Sequence, residues 1–217
     1  IKHQLAEASR EKMILEIEQR LGYPLFVKPP NLGSSVGITK AHHREELVAG
    51  IETALKFDRK VLIEAAVPHA REIEVAILGN EQPRASVPGE VIPSNEYYDY
   101  DAKYVDNSSE IRIPAELPGH ILQAIQAAAV KGVTALDVEG MSRVDFLVNG
   151  ATNEYFLNEV NTIPGFTRIS MYPKMWEASG LAYSALLDSL IDLAIRRQER
   201  RRRLRTSYEP KKEWYKG

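Results

Sequence analysis

Arg143, Asp145, Glu159 and Asn161 have the types and spacing to do chemistry. Each pair is two residues apart in an apolar-alternating run, so its members point to one face of a strand. The runs Arg143 to Val148 and Tyr155 to Val160 flank Asn149-Gly150, a hairpin signal. A hairpin centred near Thr152 sets Asp145 opposite Glu159 and Arg143 opposite Asn161. A two-residue Asn149-Gly150 turn would instead pair Asp145 with Glu154 and scatter the group, so the longer loop is expected. Two carboxylates and an amide oxygen, with no histidine or cysteine, make a hard all-oxygen set that suits Mg²⁺ better than zinc. The plainer alternative is a cross-strand ion-pair ladder in which Arg143 neutralises Asp145.

A second group lies near the start. Lys28-Pro29-Pro30-Asn31-Leu32-Gly33-Ser34-Ser35-Val36-Gly37 follows the strand-like Leu25-Phe26-Val27. Small residues there let backbone N–H groups approach phosphate oxygens, and Lys28 can set a point charge on one. It is not a Walker loop, because no Gly-Lys-Ser/Thr closes it, nor a dinucleotide fingerprint. An ordinary hairpin loop with two glycines is the alternative.

These groups need elements to hold them. Ser9 is a candidate N-cap for a helix through Met13, Ile14, Ile17 and Leu21, ended by Gly22. Leu47, Val48, Ile51, Ala54 and Leu55 form another helical stripe. Val61 to Ile63 and Ile73 to Leu78 read as strands. Pro118 opens a helix carrying Ile121, Leu122, Ile125 and Ala129, and a last helix begins near Tyr183. Between Val91 and Ile113 the chain is polar, tyrosine-rich and aperiodic, the mark of a functional or disordered loop. The mixture predicts α+β or mixed α/β layers.

Composition narrows the function. The chain has 217 residues, a formal net charge of −2 and no cysteine. No overall field favours nucleic acid or acidic membrane, and disulfides and thiolate metal sites are excluded. No apolar run approaches the roughly 20 residues of a membrane span. The arginines from Arg196 to Arg205 read as a solvated helix end complementing its dipole. The five histidines show no ligand spacing, and His42-His43 is expected to cap the helix that follows.

In order and spacing, Lys28 and the Gly33 to Gly37 loop, Glu64 and Glu72, Arg143 and Asp145, then Glu159 and Asn161 resemble the ATP-grasp superfamily. Tyr98-Asp99-Tyr100-Asp101-Ala102-Lys103-Tyr104 is similar to the mobile loop of D-alanine–D-alanine ligases. Glu159 to Thr167, continuing through Ser170-Met171-Tyr172-Pro173, is similar to their C-terminal signature. The resemblance runs to about Arg196.

The resemblance implies an ATP-grasp fold of two α+β subdomains with antiparallel-rich sheets sandwiching ATP. Residues 1–66 would be the smaller, 67–205 the larger, and 206–217 an extension. It also implies ATP-dependent joining of two D-alanines through an acyl phosphate, in the cytoplasm, for peptidoglycan synthesis. Asp145, Glu159 and Asn161 would hold two Mg²⁺ or Mn²⁺ ions. Lys28, Lys103 and the Ser34 and Ser35 amides would contact ATP phosphates, Glu64 and the Val67 backbone adenine, and Glu72 the ribose. Arg143 and the Gly165 amide would form an oxyanion hole, Ser170 and Met171 would bind the second D-alanine, and Tyr104 would latch the loop near Ser34. A homodimer is compatible with this reading. The family's N-terminal domain is not expected in this chain. Another ATP-grasp carboxylate–amine ligase, or a nucleotide-binding piece inactive without that domain, is the competing reading.

Overall fold

The computed structural model describes residues 7–92, 110–167, 169–205 and 207. They fall into two compact units. One draws on Ile1–Glu72, Val91–Arg112 and Leu147–Tyr155, the other on Ile73–Glu90, Ile113–Phe146 and Phe156–Gly217.

The first unit is built from α1 (Glu7–Leu21), β1 (Leu25–Lys28), β2 (Thr39–Ala41), α2 (Arg44–Phe57) and β3 (Leu62–Ala65). Its sheet has the order β2-β1-β3 and is antiparallel throughout. Leu25, Val27 and Ala41 are fully buried and cluster with Ile14 of α1 and Leu47, Ile51 and Ala54 of α2. Alternation along β1 therefore turns Phe26 and Lys28 to the opposite face. Ser9 lies inside α1 and is not its N-cap, because the helix already runs from Glu7. Gly22 ends α1 as expected: its φ is +67°, and its N–H donates to the Glu18 carbonyl at 3.1 Å. His43 is the N-cap residue of α2, but its ring makes no capping bond and instead meets Glu45 at 2.9 Å. Glu46 of the first turn accepts the His42 N–H at 2.8 Å, one residue before the cap.

The remaining strands are β4 (Ala70–Gly79), β5 (Arg84–Ala85), β6 (Gly89–Ile92), β7 (Glu110–Arg112), β8 (Gly140–Asn149) and β9 (Tyr155–Asn161). They form one sheet of order β7-β6-β4-β8-β9, with β5 beside β4. The helices are α3 (Gly119–Ala135), α4 (Met171–Ala178) and α5 (Tyr183–Arg202). Ile125, Ala129 and Val133 are the buried stripe of α3. On β8, Ser142, Val144, Phe146 and Val148 are buried and alternate with Arg143, Asp145 and Leu147. The short α4 is pinned to β4 by the Tyr172 hydroxyl, which donates to the Ile77 carbonyl at 2.9 Å. Burial raises the pKa of that phenol, so it stays a donor.

Part of the arginine run is paired. Arg197 donates to Glu139 at 2.5 Å, and Arg200 meets both Glu139 and Glu81, so these two fasten α5. Among the described residues, no single helix is long and apolar enough to cross a membrane. The Tyr98 to Tyr104 motif, with Lys103 and Tyr104, lies outside the described residues, as do residues 1–6 and all of 206–217 except Ser207.

Candidate active site

The hairpin of β8 and β9 uses the longer loop. Asn149 N–H donates to the Glu154 carbonyl and Asn153 N–H to the Asn149 carbonyl, both at 2.8 Å. The Asn149 side chain accepts from the Ala151 and Thr152 amides at 2.9 and 3.2 Å. This local Asx bonding replaces the two-residue turn. Asn153 takes the positive φ of 60° that the loop requires.

The strands bring Arg143, Asp145, Glu159 and Asn161 together. Arg143 holds Asp145 through two bonds, Nε to Oδ1 at 2.7 Å and Nη2 to Oδ2 at 2.6 Å. The Asn161 amide donates to Asp145 Oδ2 at 2.9 Å and to Glu159 Oε1 at 3.2 Å. Sequence reasoning missed a fifth member, Glu74 of β4. Its Oε2 lies 3.3 Å from Arg143 Nε, and its side chain is only 9% exposed. The signal was a lone carboxylate inside the apolar run Ile73 to Leu78, two residues on from Glu72.

Three neighbouring strands thus supply one guanidinium, three carboxylates and one amide. Burial opposes the charge on Arg143, but Asp145, then Glu74 and Glu159, outweigh it and raise its pKa. The formal charges leave the group doubly negative, which favours a divalent cation. Among the described residues, no three histidine, cysteine, aspartate or glutamate side chains form a ready metal cage. Two carboxylates and an amide with room for outside oxygens is how Mg²⁺ is usually held together with a nucleotide's phosphates. The residues present therefore fit such an ion.

In the first unit, Phe26 is paired with Lys40 on β2 and with Glu64 on β3. Lys28 reaches diagonally to Glu64 at 2.5 Å. Its ammonium lies 6.0 Å from the Phe26 ring centre, and that of Lys40 5.9 Å, within cation–π range. Phe26, Lys28, Lys40 and Glu64 therefore share the face turned away from the apolar cluster. Ser34 and Ser35 sit at the tip of the β1–β2 hairpin with φ of 55° and 59°. Val36 N–H donates to the Gly33 carbonyl at 3.2 Å, closing a type I′ turn around the two serines. Asparagine and glycine normally fill those positions, and each serine there is strained. Val67 follows β3 in the short link to β4, and Glu72 is partly buried on β4.

The segment before α4 forms a third group. Ser170 is the N-cap residue of α4, but its hydroxyl is turned back to accept the Thr167 N–H at 2.9 Å. A Cβ on Gly165 would lie 3.0 Å from Ser170 Oγ, so glycine permits this close turn. The Met171 and Tyr172 amides open the helix, and Pro173 has none to offer. That end is suited to an anion.

The profile of the family described as D-ala D-ala ligase C-terminus matches residues 1–192. A D-alanine--D-alanine ligase of Clostridium acetobutylicum is 59% identical over 191 residues, covering 88% of this chain and 55% of that protein. The structure of the D-alanine-D-alanine ligase from Coxiella burnetii superposes with a TM-score of 0.76 at 36% identity, covering 93% of this chain and 52% of that one. The VanG D-Ala:D-Ser ligase from Enterococcus faecalis has the same TM-score of 0.76 at 41% identity, covering 87% and 55%. The chain spans about half the length of the curated relatives it matches. Its fold, helices with antiparallel sheets, is the ATP-grasp fold of these ligases. The chain belongs to the D-ala D-ala ligase C-terminus family.

Proposed function

We propose that this chain is the ATP-binding catalytic portion of a D-alanine–D-alanine ligase. The observation that carries the reading is the group of Glu74, Arg143, Asp145, Glu159 and Asn161 on three adjacent strands. In the reaction, the carboxylate of one D-alanine takes the γ-phosphoryl group of ATP, giving an acyl phosphate and ADP. The amine of the second D-alanine attacks the acyl carbon, and phosphate leaves as the peptide bond forms.

Residues 1–66 would be the smaller subdomain and 67–205 the larger. Lys28, Lys103 and the Ser34 and Ser35 amides hold the ATP phosphates, Glu64 and the Val67 backbone the adenine, and Glu72 the ribose. Asp145, Glu159 and Asn161 would hold two Mg²⁺ or Mn²⁺ ions, which offset the charge that develops on the transferring phosphoryl group. Arg143 and the Gly165 amide stabilise the oxyanion of the tetrahedral intermediate, where preorganised donors are worth most. The Ser170 and Met171 end of α4 receives the carboxylate of the second D-alanine. Tyr104 latches its loop near Ser34, excluding water that would hydrolyse the acyl phosphate.

The test is phosphate release from Mg-ATP with D-alanine, beside L-alanine, D-lactate and D-serine, the last because a relative at 41% identity is a D-Ala:D-Ser ligase. Release dependent on D-alanine is expected, and Glu159→Gln should abolish it. Turnover in that variant equal to the unaltered chain would overturn the ligand assignment.

A further inference from the structure

We propose that Glu74 is a positioning residue: it takes over the Arg143 guanidinium when a divalent cation takes Asp145. This rests on the reading above that Asp145 is a cation ligand. Both Asp145 oxygens are committed to Arg143, at 2.7 and 2.6 Å, and Oδ2 also accepts from Asn161. A cation arriving at that carboxylate meets the guanidinium already on it, and two positive charges on one carboxylate repel. Arg143 must give way, yet a largely buried guanidinium cannot be left without a counter-charge.

Glu74 is the acceptor already in place. Its Oε2 stands 3.3 Å from Arg143 Nε, so a small swing completes the bond. The strand order makes the exchange directional. β8, which carries Arg143 and Asp145, lies between β4 with Glu74 and β9 with Glu159 and Asn161. The cation is gathered on the β9 side, and the guanidinium withdraws toward β4. Arg143 then has a carboxylate before and after loading: Nε passes to Glu74, and Nη2, which had clamped Asp145, is freed for the developing oxyanion. The burial of Glu74 serves this exchange, because water cannot stand in for it.

The experiment is Mn²⁺ uptake by the chain in the presence of ATP, read from the electron paramagnetic resonance of free Mn²⁺. Glu74→Gln should weaken uptake roughly tenfold, within the range of couplings between contacting charged groups. Glu74→Asp, which keeps the charge, should recover part of the loss, and it stands in if the glutamine variant does not fold. Arg143→Met should bind Mn²⁺ at least as tightly as the unaltered chain, since nothing then competes for Asp145. In that background, Glu74→Gln should have no further effect. A loss of the same size in both backgrounds would mean that Glu74 acts through its field alone, and would overturn the exchange. Unchanged uptake in Glu74→Gln alone would do so as well. No Mn²⁺ uptake by the unaltered chain would instead remove the ligand assignment beneath the inference, and the inference with it.

Discussion

Gly89→Ala is the perturbation whose cost can be worked most directly from the packing. A Cβ at Gly89 would lie 2.5 Å from Met171 Cε, 3.1 Å from Ile113 Cγ1 and 3.3 Å from Met175 Cγ. Ordinary carbon contacts are at about 3.5–4.0 Å. The Met171 methyl is the end of a flexible chain and can swing aside by about an ångström. The other two atoms lie mid-chain, so α4 must shift or strain. Overpacking of this kind costs about 1–3 kcal/mol, and alanine's lower unfolded-state entropy returns about 0.4–1. The net loss is therefore about 1–2 kcal/mol, read as a lower urea midpoint at unchanged slope. Met171→Ala alone should cost about 2–5 kcal/mol by leaving a cavity. Together the two should cost at least about 1 kcal/mol less than their sum, because the new methyl occupies the space vacated. Met171 opens the helix end assigned to the second D-alanine, so Gly89→Ala should also raise the D-alanine KM and leave that for ATP unchanged. A neutral Gly89→Ala, or strict additivity, would refute the packing argument.

Other substitutions probe other parts. Replacing Ser34 and Ser35 together with glycine relieves about 1–2 kcal/mol of left-handed strain at each and costs about 0.5–1 in chain entropy. Thermal unfolding should therefore move up by a few degrees, while Mg-ATP affinity should be largely kept, because the backbone amides assigned to the phosphates remain. A stabilised variant with full affinity would separate the strain from nucleotide binding. Gly37→Ala should destabilise by about 2 kcal/mol or more in urea unfolding, since φ is +76° and the Cβ would lie 2.6 Å from the Phe57 ring. Burial, then the bond to Glu18, pushes the Tyr23 pKa up to about 12 from its ordinary value of 10. Its contribution is therefore complete below pH 10 and lost as pH rises toward 12, and Tyr23→Phe should flatten that part of the profile of urea midpoint against pH.

How much of this was legible in the sequence depended on whether the signal was local. Strand alternation set Arg143 with Asp145 and Glu159 with Asn161, because two-residue periodicity is written in neighbouring residues, whereas the longer loop that joins the pairs rests on Asn149 side-chain bonds that the Asn149-Gly150 signal did not announce. The helix ended by Gly22 was likewise legible from neighbouring residues. Glu74 was not, because its role depends on β4 lying beside β8, a pairing across roughly 70 positions that no local pattern carries. The short α4 was missed because eight residues, with a proline at the third, give too few turns for a period. Ser9 misled because a good capping residue is also tolerated within a helix, and nothing local excluded an earlier start. The positive φ at Ser34 and Ser35 was hidden because serine is not a residue that advertises such a conformation.

The identity of Asn161 follows from the charge around it. With Glu74, Asp145 and Glu159 already gathered about Arg143, a carboxylate at position 161 would add a further negative charge to the group whenever no cation is bound. An asparagine serves both states. Its nitrogen donates to Asp145 and Glu159 at 2.9 and 3.2 Å and holds the two carboxylates as a cation would. Turning the amide over presents an oxygen to an ion at the same place. A glutamine would carry the amide one methylene farther out, past the carboxylates it now bridges, and a histidine would shift the donor set toward transition metals. The same logic accounts for Arg143 and Glu74 on the other flank. Under the proposed assignment, each side of Asp145 carries a group that would hold the carboxylate in the absence of an ion and yield it when one arrives, so that loading would exchange partners without stranding a buried charge.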